Sequence, residues 1–240
     1  MHVLRRILDI LMPTACSYCS SSVGDSAVPF FCSACWNDFA VMSGPLCPSC
    51  GRQFESSEAL RHSPDHCCLD CRKQTPFFDQ AVSIGYFEGP LREAIHQFKY
   101  RPCRSLGVPL GRWMAENLGA VRALDLVIPV PLHSSRLRQR GFNQALLLAN
   151  QVADSFSLPL CYDNLVRLKR TKPQVELSPE ERLQNVKNAF SLLVPDRMIG
   201  KSVLIVDDVY TTGATMNECS RILKEAGAVR VSALTIARAV

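Results

Sequence analysis

The sequence contains no apolar run that approaches the roughly 18–20 residues of a membrane-spanning helix. It also lacks the composition of a disordered chain, because 47% of its 240 residues are hydrophobic and only 20% are charged. Cysteine becomes scarce after residue 71, where only Cys103, Cys161 and Cys219 occur. That cysteine-poor part is long enough to bury a core of its own, which excludes a small protein held together mainly by disulfides.

A typical signal peptide is missing as well. Residues 1–13 carry basic side chains, but Asp9 interrupts their apolar stretch and no small-residue cleavage site follows before Cys16. The apolar residues of this stretch fall on one helical face, which predicts a short amphipathic helix that ends at Pro13. Without an export signal we expect a cytoplasmic location, where a reducing environment makes cysteines metal ligands or free thiols.

The first 71 residues are rich in cysteine. Nine of the 12 cysteines lie there and form four Cys-x-x-Cys pairs, whereas random placement would give about 0.6 such pairs. Two thiolates separated by two residues can bind one tetrahedral zinc ion from a tight turn. The eight paired cysteines therefore predict two zinc ions with the ligands Cys16, Cys19, Cys32, Cys35, Cys47, Cys50, Cys68 and Cys71.

The spacing does not decide how the four pairs combine. Pairing in chain order puts the first four cysteines in one site and the last four in another, but the spacing alone does not exclude an interleaved cross-brace. Cys67 competes with Cys68, and we prefer Cys68 because it keeps the two-residue gap. Four thiolates leave no open coordination position, so either arrangement predicts structural rather than catalytic zinc.

Charge is distributed unevenly along the chain. Residues 1–78 hold 6 basic and 7 acidic side chains, whereas residues 79–240 hold 21 and 15. The resulting net charge of +6 in the second part favours a phosphate-rich ligand or a nucleic acid, although an ordinary surface excess of lysine and arginine gives the same balance.

The second part of the chain alternates between strand-like and helix-like segments. Predicted strands occupy residues 81–87, 125–130, 165–168, 190–193, 203–206 and 229–236, and predicted helices occupy residues 91–100, 106–118, 136–156, 179–189 and 215–226. Ser178 and Glu181 form a capping-box pattern before the fourth helix. We therefore predict an α/β fold with a mostly parallel sheet flanked by helices over residues 77–240, joined to a zinc-ribbon module over residues 1–76.

The most informative segment comprises residues 203–215. Four apolar residues form a predicted buried strand, Asp207 and Asp208 follow, and a short loop of threonine and glycine then leads into a helix. In an open α/β sheet, the carboxyl end of such a strand faces the ligand crevice. The loop offers backbone N–H groups and hydroxyls at a helix N-terminus, which suits a phosphate group, while the two carboxylates can accept hydrogen bonds from adjacent sugar hydroxyls.

This segment closely resembles the phosphoribosyl pyrophosphate (PRPP) signature of the type I phosphoribosyltransferases. Together with the tandem Cys-x-x-Cys pairs, three further segments occur in the order seen in the competence-associated ComF/GntX family: residues 96–101 (His-Gln-Phe-Lys-Tyr-Arg), 130–133 (Val-Pro-Leu-His) and 140–144 (Arg-Gly-Phe-Asn-Gln). The resemblance covers nearly the whole chain. It implies a type I phosphoribosyltransferase-like fold with an N-terminal double zinc ribbon.

The resemblance also implies roles for individual residues. Asp207 and Asp208 would bind the ribose hydroxyls of PRPP. The 5′-phosphate would be held by Thr211, Thr212, Gly213, Ala214 and Thr215, and the pyrophosphate loop would comprise Val130, Pro131, Leu132 and His133. A mobile loop over residues 169–178 would bring Arg170 and Lys172 to the leaving pyrophosphate as catalytic residues, and Mg²⁺ would arrive mainly with PRPP.

Two classes of function are therefore expected. The first is an enzyme in which a nitrogen acceptor, not identified by any residue, displaces pyrophosphate from C1 of PRPP. The second, implied by the family, is a DNA-uptake factor that handles single-stranded DNA alongside DNA-uptake proteins, with PRPP binding regulatory or vestigial. Its candidate nucleic-acid residues are Arg136, Arg138, Arg140 and Phe142, which combine positive charge with one aromatic ring. The three arginines could instead bind pyrophosphate.

Overall fold

The computed structural model describes residues 14–100, 103–119, 123–171 and 178–239. The helix expected over residues 1–13 lies outside the described residues, as does Lys172 of the predicted mobile loop. Within the described ranges, no helix has the length and apolar character that a membrane crossing requires.

The centre of the molecule is a parallel sheet of four strands, with helices on both faces. The strands of the described residues are β1 (Gln80–Tyr86), β2 (Leu126–Pro129), β3 (Leu165–Arg167), β4 (Phe190–Leu192), β5 (Ser202–Tyr210) and β6 (Arg230–Arg238). The sheet has the order β1-β6-β5-β2 and all its neighbouring strands are parallel, whereas β3 and β4 form a separate antiparallel ribbon. The predicted α/β fold is confirmed.

Short helices accompany the cysteines, and longer ones flank the sheet. The helices are α1 (Ser33–Asn37), α2 (Glu58–His62), α3 (Leu69–Lys73), α4 (Gly89–Tyr100), α5 (Gly107–Glu116), α6 (Ser134–Arg140), α7 (Gln144–Phe156), α8 (Pro179–Val186) and α9 (Ala214–Glu225). The capping box predicted before α8 is present, because Glu181 N–H donates to Ser178 Oγ and Ser178 N–H donates to Glu181 Oε2.

The sequence predicts one helix over residues 136–156, and the structure has two in its place. Gly141 adopts φ +77° and ends α6 in the left-handed conformation that residues with a Cβ rarely take. Asn143 then begins α7 as its N-cap, because its side chain accepts a hydrogen bond from Ala145 N–H at 3.1 Å. The prediction of a single helix is therefore wrong. The sequence does not reveal the break, because the helical spacing of apolar residues continues on both sides of it.

The core lies in two layers, one on each face of the sheet. Leu204 and Val206 of β5 belong to the layer of α4, α5 and α7, whereas Val203 and Ile205 belong to the layer that contains α9. A continuous apolar run is what a parallel strand covered on both faces requires. Burial of this run fixes the position of the residues that follow it, Asp207 and Asp208.

The cysteine-rich region packs against the edge of β1 that faces away from β6. Val41 forms an antiparallel bridge with Gly85 of β1. Near the other end of the strand, Ala81 N–H donates to the Ser49 carbonyl at 2.7 Å. Gly85 is required at the first contact, because a Cβ there would lie 2.9 Å from the Ala40 carbonyl oxygen. The two regions of the chain are thus joined by backbone hydrogen bonds along a strand.

Candidate functional site

Two adjacent carboxylates lie near the carboxyl end of β5. Asp208 is buried and forms an ion pair with Lys99 of α4, whose Nζ lies 2.8 Å from Asp208 Oδ1. Asp207 Oδ1 accepts a hydrogen bond from the backbone N–H of Asp208 at 2.9 Å. The ion pair neutralises one of two negative charges that would otherwise repel each other within one strand.

Asp207 holds its proton more tightly than an ordinary carboxyl group. Loss of hydration, together with the neighbouring Asp208 carboxylate, raises the pKa of Asp207 to about 7. Lys99 and Arg167 act in the opposite direction, since their positive charges favour the carboxylate. Near neutral pH the group is therefore divided between its two protonation states, a property that is concentrated at functional sites.

A tight loop follows β5 and leads into α9. Gly213 is the N-cap of this helix with φ +78°, a left-handed conformation that favours glycine. A Cβ at this position would also collide with the hydroxyl group of Tyr210. Thr212 Oγ1 accepts a long hydrogen bond from Ala214 N–H at 3.4 Å. The 211–215 loop therefore requires glycine for two independent reasons, its backbone conformation and its contact with Tyr210.

Helix α9 directs its positive end towards this loop. The helix is 12 residues long and has no acidic residue in its first turn. The first N–H groups of a helix lack intrahelical partners, and the helix dipole favours a negative charge beside them. The 211–215 loop and the start of α9 together form a site suited to a phosphate group.

A second loop reaches the same edge of the sheet from β2, the parallel neighbour of β5. Val130 N–H donates to the Val206 carbonyl at 2.9 Å, so this loop starts beside the strand that carries the aspartates. His133 is the N-cap of α6, because its Nδ1 accepts a hydrogen bond from Ser135 N–H at 3.2 Å. Residues 130–133, predicted to bind pyrophosphate, thus follow β2 at the same edge of the sheet at which the 211–215 loop follows β5.

Two arginines converge on Thr171, in the segment that follows β3. Arg136 Nη2 donates to the Thr171 carbonyl at 3.1 Å, and Arg167 Nη2 donates to the Thr171 hydroxyl. Burial and the nearby Arg136 charge lower the pKa of Arg167, whose charge also acts on Asp207. The Arg167 Nε is the one buried side-chain nitrogen or oxygen of the described residues that has no hydrogen-bond partner. Positive charge is therefore concentrated beside Asp207.

The residues predicted to contact nucleic acid separate in the structure. Phe142 is only 6% exposed and packs against Phe98, with ring centroids 5.6 Å apart. No base can stack on a ring held in the core, so we correct the assignment of Phe142. Arg138 is exposed, and Arg140 lies over the ring of Tyr100, with Cζ 5.5 Å from the ring centroid. Tyr100, which is exposed, is therefore the aromatic residue that accompanies Arg140.

The cysteines form two clusters, and their pairing follows chain order. The first cluster comprises Cys16, Cys19, Cys32 and Cys35, and the second comprises Cys47, Cys50, Cys68 and Cys71. The sulfurs of each cluster lie within 4.8 Å of one another, and the Cys19–Cys32 and Cys50–Cys68 pairs are 3.7 Å and 3.6 Å apart. A tetrahedral zinc ion with Zn–S bonds of about 2.3 Å needs sulfurs about 3.8 Å apart. The clusters fit two structural zinc ions without a cross-brace.

In the comparison with known proteins, the cysteine-rich region and the sheet region match two different family models. A family model described as phosphoribosyl transferase domain matches residues 143–239, and one described as double zinc ribbon domain matches residues 7–72. Competence protein F from Haemophilus influenzae is 34% identical over 224 residues, which cover 88% of this chain and 97% of that protein. The chain belongs to the ComF/GntX family.

Another relative of this ComF/GntX protein carries a different name. DNA utilization protein YhgH from Salmonella typhimurium is 30% identical over 224 residues, which cover 88% of this chain and 98% of that protein. A solved structure of glutamine PRPP amidotransferase from B. subtilis is 24% identical, covering 54% of this chain and 25% of that chain with a TM-score of 0.37.

Two charged residues of this ComF/GntX site, Lys99 and Arg167, were not predicted from the sequence. Lys99 belongs to the segment 96–101, which the sequence marked only through its resemblance to the family. Arg167 ends a strand of three residues, and no local pattern connects it with an aspartate forty positions further on. Of the two residues predicted to be catalytic, Arg170 is exposed beside Thr171, and Lys172 is outside the described residues.

Proposed function

We propose that this chain binds PRPP at the carboxyl edge of its sheet and that a nitrogen nucleophile displaces the pyrophosphate. One observation carries the proposal: two carboxylates near the carboxyl end of β5 are separated by only two residues from the 211–215 loop, which leads to the positive end of α9. The matching model of a phosphoribosyl transferase domain, which spans this run, supports it. The cytoplasm is the compartment we assign to the reaction, because thiols that bind zinc stay reduced there.

The ribose and its 5′-phosphate would be held by β5 and the loop after it. Asp207 and Asp208, when ionised, can accept hydrogen bonds from the two adjacent ribose hydroxyls, as acidic residues do at dinucleotide sites. The 2.8 Å ion pair with Lys99 keeps the Asp208 carboxylate in place. The phosphate would lie against the backbone N–H groups and hydroxyls of the 211–215 loop.

The pyrophosphate would lie between residues 130–133 and the arginines of the neighbouring segment. Arg136 and Arg167 carry positive charge there, and the buried Nε of Arg167 supports an anionic ligand, since buried donors normally have a partner. Arg170 and Lys172 would add charge from the segment after β3. Mg²⁺ would be bound chiefly by phosphate oxygens of PRPP, because this ion prefers oxygen ligands and retains several waters.

The reaction exchanges one bond at C1 of the ribose for another. The bond from C1 to the pyrophosphate oxygen breaks, the bond from C1 to the acceptor nitrogen forms, and the acceptor releases a proton. Positive charge develops on the ribose in the transition state, and negative charge develops on the leaving group. The protein would contribute by fixing the ribose through its hydroxyls and by neutralising the pyrophosphate.

Isothermal titration of the zinc-loaded protein with PRPP and Mg²⁺ tests this proposal, and an absence of binding would overturn it. The double change Asp207→Asn and Asp208→Asn should abolish binding while the fold is retained, because both amides keep the size of the side chain. The exposed pair Asp163→Asn and Asp196→Asn is the matched control, since it changes the net charge equally. Pyrophosphate release across a panel of bases, amines and nucleic acids then tests turnover.

A second candidate function, the handling of single-stranded DNA, is favoured by an exposed aromatic and basic cluster. Tyr100 is 57% exposed, and the ring centroid of His96 lies 4.9 Å from its own. Arg140 lies over the same ring. Exposed rings stack on bases while nearby cations bind phosphates, which is the usual arrangement in single-strand binding. Relatives named as competence and DNA utilization proteins support this role, with PRPP binding as a regulatory event.

Fluorescence anisotropy with a labelled oligothymidine tests the second function. Tyr100→Ala should weaken binding about tenfold, since a base–aromatic stack contributes about 1–3 kcal/mol. Tyr162→Ala is the matched control, because Tyr162 is exposed to a similar extent, at 64%. Substitution of Arg138 should reduce the salt dependence of binding. Equal affinities of the two tyrosine variants would contradict the assignment.

A further inference from the structure

Arg238 lies where the cysteine-rich region, the sheet and the 211–215 loop meet. It is the last residue of β6, is only 6% exposed, and is in register with Tyr210 of β5. Its Nη1 donates to the Cys50 carbonyl at 2.7 Å, and its Nη2 lies 4.0 Å from the Cys50 sulfur. The same guanidinium lies over the Tyr210 ring, with Cζ 4.4 Å from the ring centroid.

A buried arginine needs negative charge close by. In the part of the chain that the structure describes, no carboxylate forms an ion pair with Arg238. A zinc ion bound by four thiolates carries a net charge of −2, and Cys50 is one of the four ligands of the second cluster. The filled cluster therefore gives Arg238 both a counter-charge and a fixed hydrogen-bond acceptor.

Tyr210 connects Arg238 with the 211–215 loop. Its hydroxyl contacts Gly213 so closely that no Cβ fits between them, and therefore a shift of the ring changes the space available to the loop. A second contact joins the same parts of the molecule, because Asn217 Oδ1 of α9 accepts a hydrogen bond from Phe77 N–H at 2.7 Å. The segment that leaves the second cluster is thus attached to the helix that starts at the loop.

The first cluster has different surroundings. Cys16 and Cys35 belong to the core layer of α4 and α5, whereas the cysteines of the second cluster share their layer with Tyr210 and Ala214. The two clusters have the same ligands but lie in opposite layers of the core. Any effect that passes through Arg238 should therefore distinguish them.

We propose that Arg238 is a positioning residue that couples zinc binding at the second cluster to phosphate-ester binding at the 211–215 loop. Zinc fixes Cys50, Cys50 fixes the guanidinium, and the guanidinium fixes the Tyr210 ring against Gly213. Coupling between two sites is reciprocal, so PRPP must tighten zinc at the second cluster by the same factor by which zinc tightens PRPP. The inference rests on the proposed PRPP site.

Site-resolved zinc removal tests the coupling in the unaltered full-length chain. A zinc-selective chelator withdraws the metal in the presence or absence of saturating PRPP and Mg²⁺, N-ethylmaleimide alkylates the released thiols, and peptide mass spectrometry reports each cluster separately. We expect PRPP to slow alkylation of the second cluster by about tenfold and to leave the first cluster unchanged. Equal protection of both clusters, or of neither, overturns the proposal.

Variants of Arg238 give a complementary test in protein shown by metal analysis to hold two zinc ions per chain. Arg238→Met removes the charge and the hydrogen bond and should weaken PRPP binding about tenfold, whereas Arg238→Lys should restore part of the affinity. Arg230→Met, at the other end of the same strand, is the matched control and should leave affinity unchanged. Equal affinities of Arg238→Met and Arg230→Met contradict the proposal.

The results of these two experiments distinguish a failure of the coupling through Arg238 from a failure of the proposed PRPP binding. If Arg238→Met does not fold, the zinc-removal experiment on the unaltered chain decides. If the unaltered, zinc-loaded chain does not bind PRPP, the proposed function fails and the coupling fails with it. If PRPP binds but protects neither cluster selectively, only the coupling through Arg238 fails.

Discussion

The cysteine-rich region and the sheet region of this chain are stabilised by different means. Of the twelve largest fully buried side chains in the described ranges, only Phe31 precedes residue 77, and the other eleven lie in the sheet, its helices or the segments that connect them. A region with so small a core depends on metal coordination, whereas the sheet region depends on burial of apolar surface. The two regions nevertheless meet at Arg238, and only two side chains, Arg238 and Tyr210, separate Cys50 of the metal-dependent region from Gly213 of the candidate phosphate site.

Zinc removal should produce the largest difference between the two regions. Structural zinc contributes about 10–16 kcal/mol to the folding of small metal modules, so chelation should unfold residues 16–71 while the sheet keeps its core. Hydrogen exchange followed by mass spectrometry should show much faster exchange in residues 16–71 and little change in the centre of β5. Loss of protection along the whole chain would mean that the two regions share one folding unit.

A cavity in the core of the sheet region should destabilise the sheet and leave the zinc clusters unaffected, which is the opposite of zinc removal. Leu148 of α7 is fully buried, and Leu148→Ala should lower the free energy of unfolding by about 2–5 kcal/mol. Urea unfolding measures this loss, and the exposed Leu193→Ala is its control. Zinc affinity, measured by competition with a chromogenic chelator, should not change in either variant. Weakened zinc binding in Leu148→Ala would show that the core of the sheet also supports the clusters.

Gly213→Ala should lower the stability of the protein less than Leu148→Ala does, and it lies near the place where the two regions meet. Gly213 and Gly200 both have positive φ, but a Cβ at Gly200 meets open space while one at Gly213 meets Tyr210. Each alanine costs about 1–2 kcal/mol in backbone strain. PRPP affinity, measured by calorimetry beside thermal unfolding, should therefore fall in Gly213→Ala well beyond any change in Gly200→Ala. Equal losses of PRPP affinity in the two variants would show that the contact between Gly213 and Tyr210 does not shape the loop for binding.

The titration of Asp207 should give the smallest effect of the four, a dependence of PRPP affinity on pH. Its pKa of about 7 means that the carboxyl group is mostly protonated below neutral pH and ionised above it. In the proposed site the ribose hydroxyls donate to this carboxylate, so PRPP affinity should be about tenfold lower at pH 6 than well above pH 7, where it should level off. In Asp207→Asn only the titration of the ligand's phosphates should remain. An identical pH profile in this variant would exclude Asp207 as the cause.

Much of the fold could be predicted because its signals are local. The apolar run of β5, the capping box before α8 and the cysteine spacing each lie within a few residues of one another. The strand predicted over residues 203–206 extends to Tyr210, because β6 offers paired backbone as far as Arg238. The break between α6 and α7 was missed, since a single glycine outweighs the helical periodicity around it.

The site could be predicted only where it is contiguous in the chain. Asp207, Asp208 and the loop that follows them form one run, and their types suggest a ligand without any knowledge of the fold. Lys99, Arg167 and Arg238 belong to a helix, to the separate ribbon and to β6, and only the packing of these elements around β5 places them near the aspartates and Tyr210. The pairing of the cysteines was undecided for the same reason, because spacing along the chain carries no distances between the pairs.

The bridge between Val41 and Gly85 has a consequence for the behaviour of damaged protein. β1 is one of the two edge strands of the sheet, and an uncovered edge pairs readily with the edges of other molecules. The cysteine-rich region covers that edge, so metal loss or oxidation of its thiols would uncover a surface that promotes aggregation. Aggregation would then precede any loss of catalytic activity. In this sense the zinc ions maintain the solubility of a sheet that they do not contact.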